Sequence, residues 1–127
     1  ALSIVTADAS TFAGQVVAEC RAALAGEGSV ALIAADDQVG GLRDAIVAAG
    51  LETAMLGETD DEIDTVRLVC VPATLAKGLE FDAVIVAEPA HIVAAEPRGL
   101  HRLYVVLTRA VSRLQIVHAE PLPEALA

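Results

Sequence analysis

Ala76-Lys77-Gly78-Leu79-Glu80-Phe81-Asp82 is a short charged segment set between two apolar, β-branched runs. Upstream stands Val66-Arg67-Leu68-Val69-Cys70-Val71, and downstream Ala83-Val84-Ile85-Val86-Ala87, each with the length and composition of a buried strand. A loop between two such strands is held at both ends. Lys77 is the only lysine of the chain. Gly78 permits positive φ or the close approach of a ligand to the backbone, and Lys77 and Glu80 bring opposite charges within a few residues of each other. That combination suits contact with a polyphosphate or a nucleic acid. A Lys-Gly pair between strands is also ordinary turn chemistry, so the segment needs a second signal before it carries a function.

Outward from this loop the pattern is α/β. Leu2-Ser3-Ile4-Val5-Thr6 predicts a short strand, with Asp8 or Ser10 as the N-cap of a helix over residues 11–25. Phe12, Val16, Cys20 and Ala23 line one side of that helix, and Gly26 stands near its stop. Residues 29–34 predict a buried parallel strand that delivers Asp36-Asp37 to the start of a second helix over 38–49. Leu42, Ile46 and Val47 give that helix its buried face, Gly40-Gly41 weaken its first turn by about 1 kcal/mol each relative to alanine, and Gly50 supplies the C-cap. A short strand is predicted over 53–56. The acidic stretch 57–65 lacks the Asp-x-Asp-x-Asp-Gly alternation and closing Glu of a calcium loop, so it reads as a solvated loop.

Beyond the second apolar run, Glu88-Pro89 opens an irregular stretch that reaches Glu96-Pro97. Pro97 suits the first turn of a helix, where its missing N–H costs nothing. Leu100, Leu103, Tyr104, Leu107 and Val111 recur at i, i+3, i+4, i+7 and i+11, a stripe predicted to face the sheet. Arg109 falls opposite that stripe, with Arg98 and Arg102 nearby and Val105 and Val106 on its own side. A face that mixes valine with arginine calls for cover from outside the chain. The helix is predicted to end near Ser112-Arg113, followed by a strand over 114–118 and an acidic, proline-interrupted tail from Glu120.

Composition bounds the rest. The 127 residues suit one domain, and an apolar content dominated by alanine and valine is enough for a core in which helices pack closely on a sheet. With 18 acidic against 8 basic residues the net charge is −10, which argues against autonomous binding of nucleic acid through its phosphates. No apolar run approaches the ~18 residues of a membrane span, and no basic segment precedes an apolar one at the start, so a cytoplasmic location is the expectation. Cys20 and Cys70 fall in a predicted helix and a predicted strand, where packing is the expected role. His91, His101 and His118 match no metal-ligand spacing.

The second signal lies in the predicted helix. Residues 76–81 resemble motif V of the superfamily 1 helicases of the UvrD/Rep/PcrA type, and Leu103-Tyr104-Val105-Val106-Leu107-Thr108-Arg109-Ala110 resembles their motif VI. The order, spacing and flanks agree over roughly residues 66–120. Both motifs belong to the second RecA-like motor domain of that family, called 2A. The UvrD-like pattern has threonine and histidine where this chain has Pro72 and Thr74. Val71-Pro72-Ala73-Thr74-Leu75-Ala76-Lys77-Gly78 is closer to the HelD branch, whose members associate with bacterial RNA polymerase, and the tail from His118 to Pro123 is similar to the end of such proteins.

The resemblance implies a RecA-like α/β domain, a mainly parallel sheet with flanking helices, acting in an ATP-dependent DNA helicase or translocase. It implies that Arg109 is an arginine finger toward the γ-phosphate, that Glu80 accepts a hydrogen bond from the ribose, that Gly78 lets the backbone pass close to nucleotide, and that Lys77 supports the loop electrostatically. Thr74, Tyr104 and Thr108 would support the two motifs. ATP and Mg2+ would bind in the full-length parent, between this domain and a domain 1A of the same chain, with DNA as partner and RNA polymerase as a further candidate. The phosphate-binding loop Gly-x-x-x-x-Gly-Lys-Ser/Thr is absent. Residues 1–127 are therefore expected to be a single-domain fragment of a larger protein, beginning just after motif IV, inactive alone and without a cofactor of its own. The rival reading is a non-catalytic interaction or receiver-like module, supported by Asp36-Asp37 after a strand but lacking the later Asp, Thr and Lys at successive strand ends.

Overall fold

The computed structural model describes residues 2–58 and 66–127, so most of the acidic stretch read at 57–65 lies outside the described residues. Six strands form one sheet in the order β1-β6-β5-β2-β4-β3, and every pairing is parallel. They are β1 (Leu2–Thr6), β2 (Val30–Ala34), β3 (Ala54–Met55), β4 (Leu68–Pro72), β5 (Phe81–Ala87) and β6 (Ala110–His118). Helices α1 (Phe12–Leu24) and α2 (Val39–Ala48) cover one face, and α3 (Pro89–Ala94) and α4 (Gly99–Leu107) cover the other. This is the expected RecA-like arrangement of a parallel sheet between helical layers.

The double covering explains the sequence of the central strands. Along β2, Val30, Leu32 and Ala34 pack toward α1 and α2, while Ala31 and Ile33 pack toward α3 and α4. A strand with two buried faces reads as an unbroken apolar run, not an alternation. On α1, Val16, Cys20 and Ala23 are buried as the spacing predicts. The turn before it is held by Asp8, whose Oδ1 accepts from the backbone N–H of Ser10 at 2.9 Å and of Thr11 at 3.0 Å. The Ser10 hydroxyl also donates to it, and these bonds hold the Asp8 carboxyl below the usual carboxylate range.

Three expectations change on the second face. The stretch from Glu88 to Pro97 contains a helix, α3, and it is Pro89 that occupies its first turn, while Pro97 lies in the turn before α4. Six residues are too few for an apolar period to show. Helix α4 ends at Leu107, with Thr108 as its C-cap, and β6 begins at Ala110, so Val111 belongs to a strand. The buried face of α4 is Gly99, Leu103 and Val106, whereas Leu100 and Tyr104 are 56% and 67% exposed. The predicted stripe is thus rotated, and Val106 needs no cover from outside. The reason is Gly99: a Cβ there would stand 1.8 Å from the Val93 carbonyl oxygen, so α4 approaches α3 through that residue and turns its Gly99 side inward.

Glu88 makes the turn from β5 into α3. Its φ of 52° is left-handed, its side chain is buried, and Oε1 accepts from the backbone N–H of Ala119 at 2.9 Å and of Glu120 at 3.0 Å. The exit from β6 is thereby tied to the exit from β5.

Cys20 and Cys70 are free and fully buried, packing as small apolar residues. Burial pushes the Cys20 thiol up from 9.0 to about 12, and burial also raises Cys70. A thiol that ionises later when folded contributes stability that is complete below its ordinary value of 9.0 and is lost as pH rises toward 12. An alkylating reagent at pH near 8 is expected to label neither cysteine until denaturant is added. Rapid labelling of the folded chain would show that α1 does not seat on the sheet as described. No described helix is long and apolar enough to cross a membrane.

Candidate functional site

Parallel strands β4 and β5 lie on either side of β2, so the segment 73–80 must carry the chain from the carboxyl edge of the sheet back to its amino edge. It does so without an α-helix. A single 3-10 turn, Ala73–Leu75, starts the crossing, and Ala73 and Ala76 are buried against the sheet, small enough for the backbone to lie close. Leu79 reaches the same apolar cluster, while Lys77, Gly78 and Glu80 face solvent. Gly78 has φ +85°, a conformation L side chains rarely adopt, and open space where a Cβ would stand. Its constraint is conformational, not steric crowding.

Arg109 arrives at the same place from the other motif. It stands between the end of α4 and the start of β6, at the amino edge, and Ala110 pairs with Phe81. The Phe81 N–H donates to the Arg109 carbonyl at 3.0 Å. The guanidinium donates from Nη1 to the Leu79 carbonyl at 3.1 Å, from Nε to the Val105 carbonyl at 3.0 Å, and from Nη2 to the Thr108 hydroxyl oxygen at 3.2 Å. Glu80 therefore sits between two residues that are each bonded to Arg109. The sequence places Glu80 and Arg109 29 positions apart; the bonds to Leu79 and Phe81 on either side of Glu80 bring the loop to Arg109.

The remaining predicted residues divide. Thr108 belongs to this cluster, and its hydroxyl also bonds the Val105 carbonyl at 2.9 Å. Tyr104 contributes its carbonyl to Thr108, at 3.2 Å, while its ring lies on the exposed side of α4 beside Leu100 and Leu126. Thr74 stands at the opposite edge: its N–H donates to Asp36 Oδ1 at 3.1 Å and its hydroxyl donates to Asp36 Oδ2. It anchors the start of the crossing to the end of β2. Arg102, expected near Arg109, is at that carboxyl edge as well, paired with Glu96 at 3.4 Å and lining a crevice of about 300 Å³ with Asp36, Asp37 and Thr74. Helix α4 runs back across the sheet, so its two ends, and their arginines, are separated by its length.

Sequence reasoning missed the frame that holds the amino edge. Asp82 Oδ2 accepts from the Ser29 N–H at 2.8 Å and from the Ser29 hydroxyl at 3.1 Å, and Ser29 Oγ accepts from the Asp82 N–H at 3.1 Å. Gly28, at φ +97°, leaves room for that carboxylate. Arg67 then closes the turn, donating to the carbonyls of Leu24 at 3.0 Å, Gly26 at 2.6 Å and Gly28 at 3.1 Å. The signal was present as Gly26-Glu27-Gly28-Ser29, a turn composition with no partner named. Beside this rigid edge the loop 77–80 and Arg109 bring together an exposed cation, Lys77, a half-buried guanidinium, Arg109, and an exposed carboxylate, Glu80.

No protein-family model matches the chain, and no curated protein matches it significantly. A solved structure does. The chain is similar to the C-terminal domain of a possible DNA helicase from Lactobacillus plantarum WCFS1. The TM-score is 0.79 at 28% sequence identity, over 98% of this chain and 78% of that one. Both motif-like segments lie within a match of that extent, and so does the parallel sheet that brings them together.

Proposed function

We propose that this chain is the C-terminal, 2A-type motor domain of an ATP-dependent superfamily 1 helicase or translocase, of the HelD-like branch, and that its amino edge forms one wall of a nucleotide site completed by a domain 1A of the same parent. The observation that carries the reading is the hydrogen bonding of Arg109 to the loop at Leu79 and Phe81. Two stretches that resemble motifs V and VI need to share one surface to act on one nucleotide, and the bonds between residues 79–81 and Arg109 support that reading.

In this reading the guanidinium of Arg109 stabilises the negative charge that develops on the phosphoryl oxygens during transfer. Glu80 accepts a hydrogen bond from a ribose hydroxyl, Gly78 lets the loop backbone pass close to the nucleotide, and Lys77 adds positive potential. Among the described residues no group of three or more His, Cys, Asp or Glu is placed to hold a metal ion. Closure of the two motor domains around ATP would move DNA or release it from a bound RNA polymerase, in the cytoplasm. The acidic balance of the chain fits a half-motor whose basic surfaces lie on its partners. The receiver-like rival is disfavoured because the Asp36 carboxylate is occupied by both donors of Thr74.

Calorimetric titration of the chain with ATP and Mg2+ tests the shared site. Weak or undetectable binding is expected, because one wall of a pocket supplies few of its contacts. A tight complex would mean that the site is complete here and that the two-domain reading is wrong.

A further inference from the structure

Arg109 is folded back over the last turn of its own helix. The carbonyls at a helix C-terminus lack intrahelical donors and carry partial negative charge, so a cation there is favoured. Nε uses the Val105 carbonyl, and Nη1 crosses to the Leu79 carbonyl of the neighbouring loop. The third contact is Nη2 to the hydroxyl oxygen of Thr108. That hydroxyl has its own proton directed toward the Val105 and Tyr104 carbonyls, at 2.9 and 3.2 Å, which leaves a lone pair free to receive the guanidinium. A guanidinium is planar and rigid, so three contacts at three nitrogens fix its plane. It has five N–H bonds. Three are used within the domain, and one remains on each terminal nitrogen.

We propose that Thr108 is a positioning residue for Arg109, holding the guanidinium docked against α4 and the loop so that its two unused N–H bonds are presented together to a phosphate oxyanion. The proposal rests on the reading of Arg109 as a phosphate-facing group. The same hydroxyl also bonds the Tyr104 and Val105 carbonyls at the end of α4, so positioning of Arg109 and capping of the helix are separated by experiment. A residue at 108 must donate and accept through one short group. Serine and threonine do both; valine, of the same shape, does neither.

The test is steady-state ATP hydrolysis by the intact parent protein, with nucleotide-dependent kcat and KM measured separately. Thr108→Val is expected to lower kcat about tenfold, the order of one hydrogen bond to a charged group, with KM little changed, and Thr108→Ser is expected to stay within about twofold of the parent by keeping the hydroxyl. In an Arg109→Ala background, Thr108→Val is expected to cause no further loss. If Thr108→Val turns over normally while Arg109→Ala is impaired, Thr108 does not position the finger and the functional reading stands. If Thr108→Val lowers kcat equally with and without Arg109, its role is structural and the proposal is overturned. Normal turnover by Arg109→Ala would overturn both.

Discussion

Arg109→Ala, introduced into the intact parent, is expected to slow ATP turnover by about three to five orders of magnitude, the range an arginine finger supplies. Nucleotide affinity should change little, because the charge that Arg109 neutralises develops during phosphoryl transfer and is largely absent from the ground state. Arg109→Lys should recover only a small part of the loss. A lysine ammonium cannot span the Val105, Leu79 and Thr108 acceptors as one planar fork. The substitution removes one donor from the Leu79 carbonyl and one from the Val105 carbonyl, and Val105 keeps those from the Thr108 N–H and hydroxyl, so the domain should fold. Thermal melting of the variant separates lost chemistry from lost structure. Turnover close to the parent value would remove Arg109 from the site and, with it, the argument from the contact between loop and finger.

The second large effect concerns stability. Gly99→Ala is expected to cost this chain about 3 kcal/mol, the upper range for overpacking, read as a lowered denaturation midpoint at unchanged denaturant dependence. The new Cβ would meet the carbonyl of Val93 at 1.8 Å, and backbone on both sides leaves no flexible side chain to yield. Helix α4 would have to lift from α3, and its inner residues Leu103 and Val106 would lift with it. Gly41→Ala is the control. Nothing lies within 4 Å of its Cβ position, so inside α2 it should stabilise by about 1 kcal/mol through helix propensity alone. Equal stability of Gly99→Ala and the parent would mean that the two helices do not cross at Gly99.

The same glycine shows where reading the sequence reaches its limit. The apolar runs at 29–34, 66–71 and 83–87 announced a doubly covered parallel sheet, because few other environments accept unbroken β-branched segments between polar turns. The face of α4 was legible only in part. Periodicity placed Leu100 and Tyr104 inward, yet the contact that sets the rotation is made by a residue with no side chain, against a helix too short to show a period. The start of β6 was hidden for a related reason: Ala110-Val111-Ser112-Arg113 runs along the sparsely covered end of its strand and carries no buried alternation.

At the site, side chains were legible and acceptors were not. Arg109, Glu80 and Gly78 could be named from two short resemblances, but the carbonyls of Leu79 and Val105 have no letter in the sequence. Nor could spacing reveal that Thr74, only a few residues before Lys77, belongs to the far edge of the sheet. That separation follows from strand order: the loop is a crossing, so its two ends serve different surfaces. The resemblance groups motif V as one block, whereas the fold divides it into an anchor at Thr74 and a presenting segment at 77–80.

Strands β1 and β6 are neighbours, run the same way, and are registered from Leu2 opposite Leu114 to Thr6 opposite His118. The chain enters β1 at the amino edge and leaves β6 at the carboxyl edge. Tension applied between those points would pull the pair lengthwise in opposite directions, so that every rung of the ladder resists in shear at once and none peels first. A domain strung this way can bear load along its own backbone.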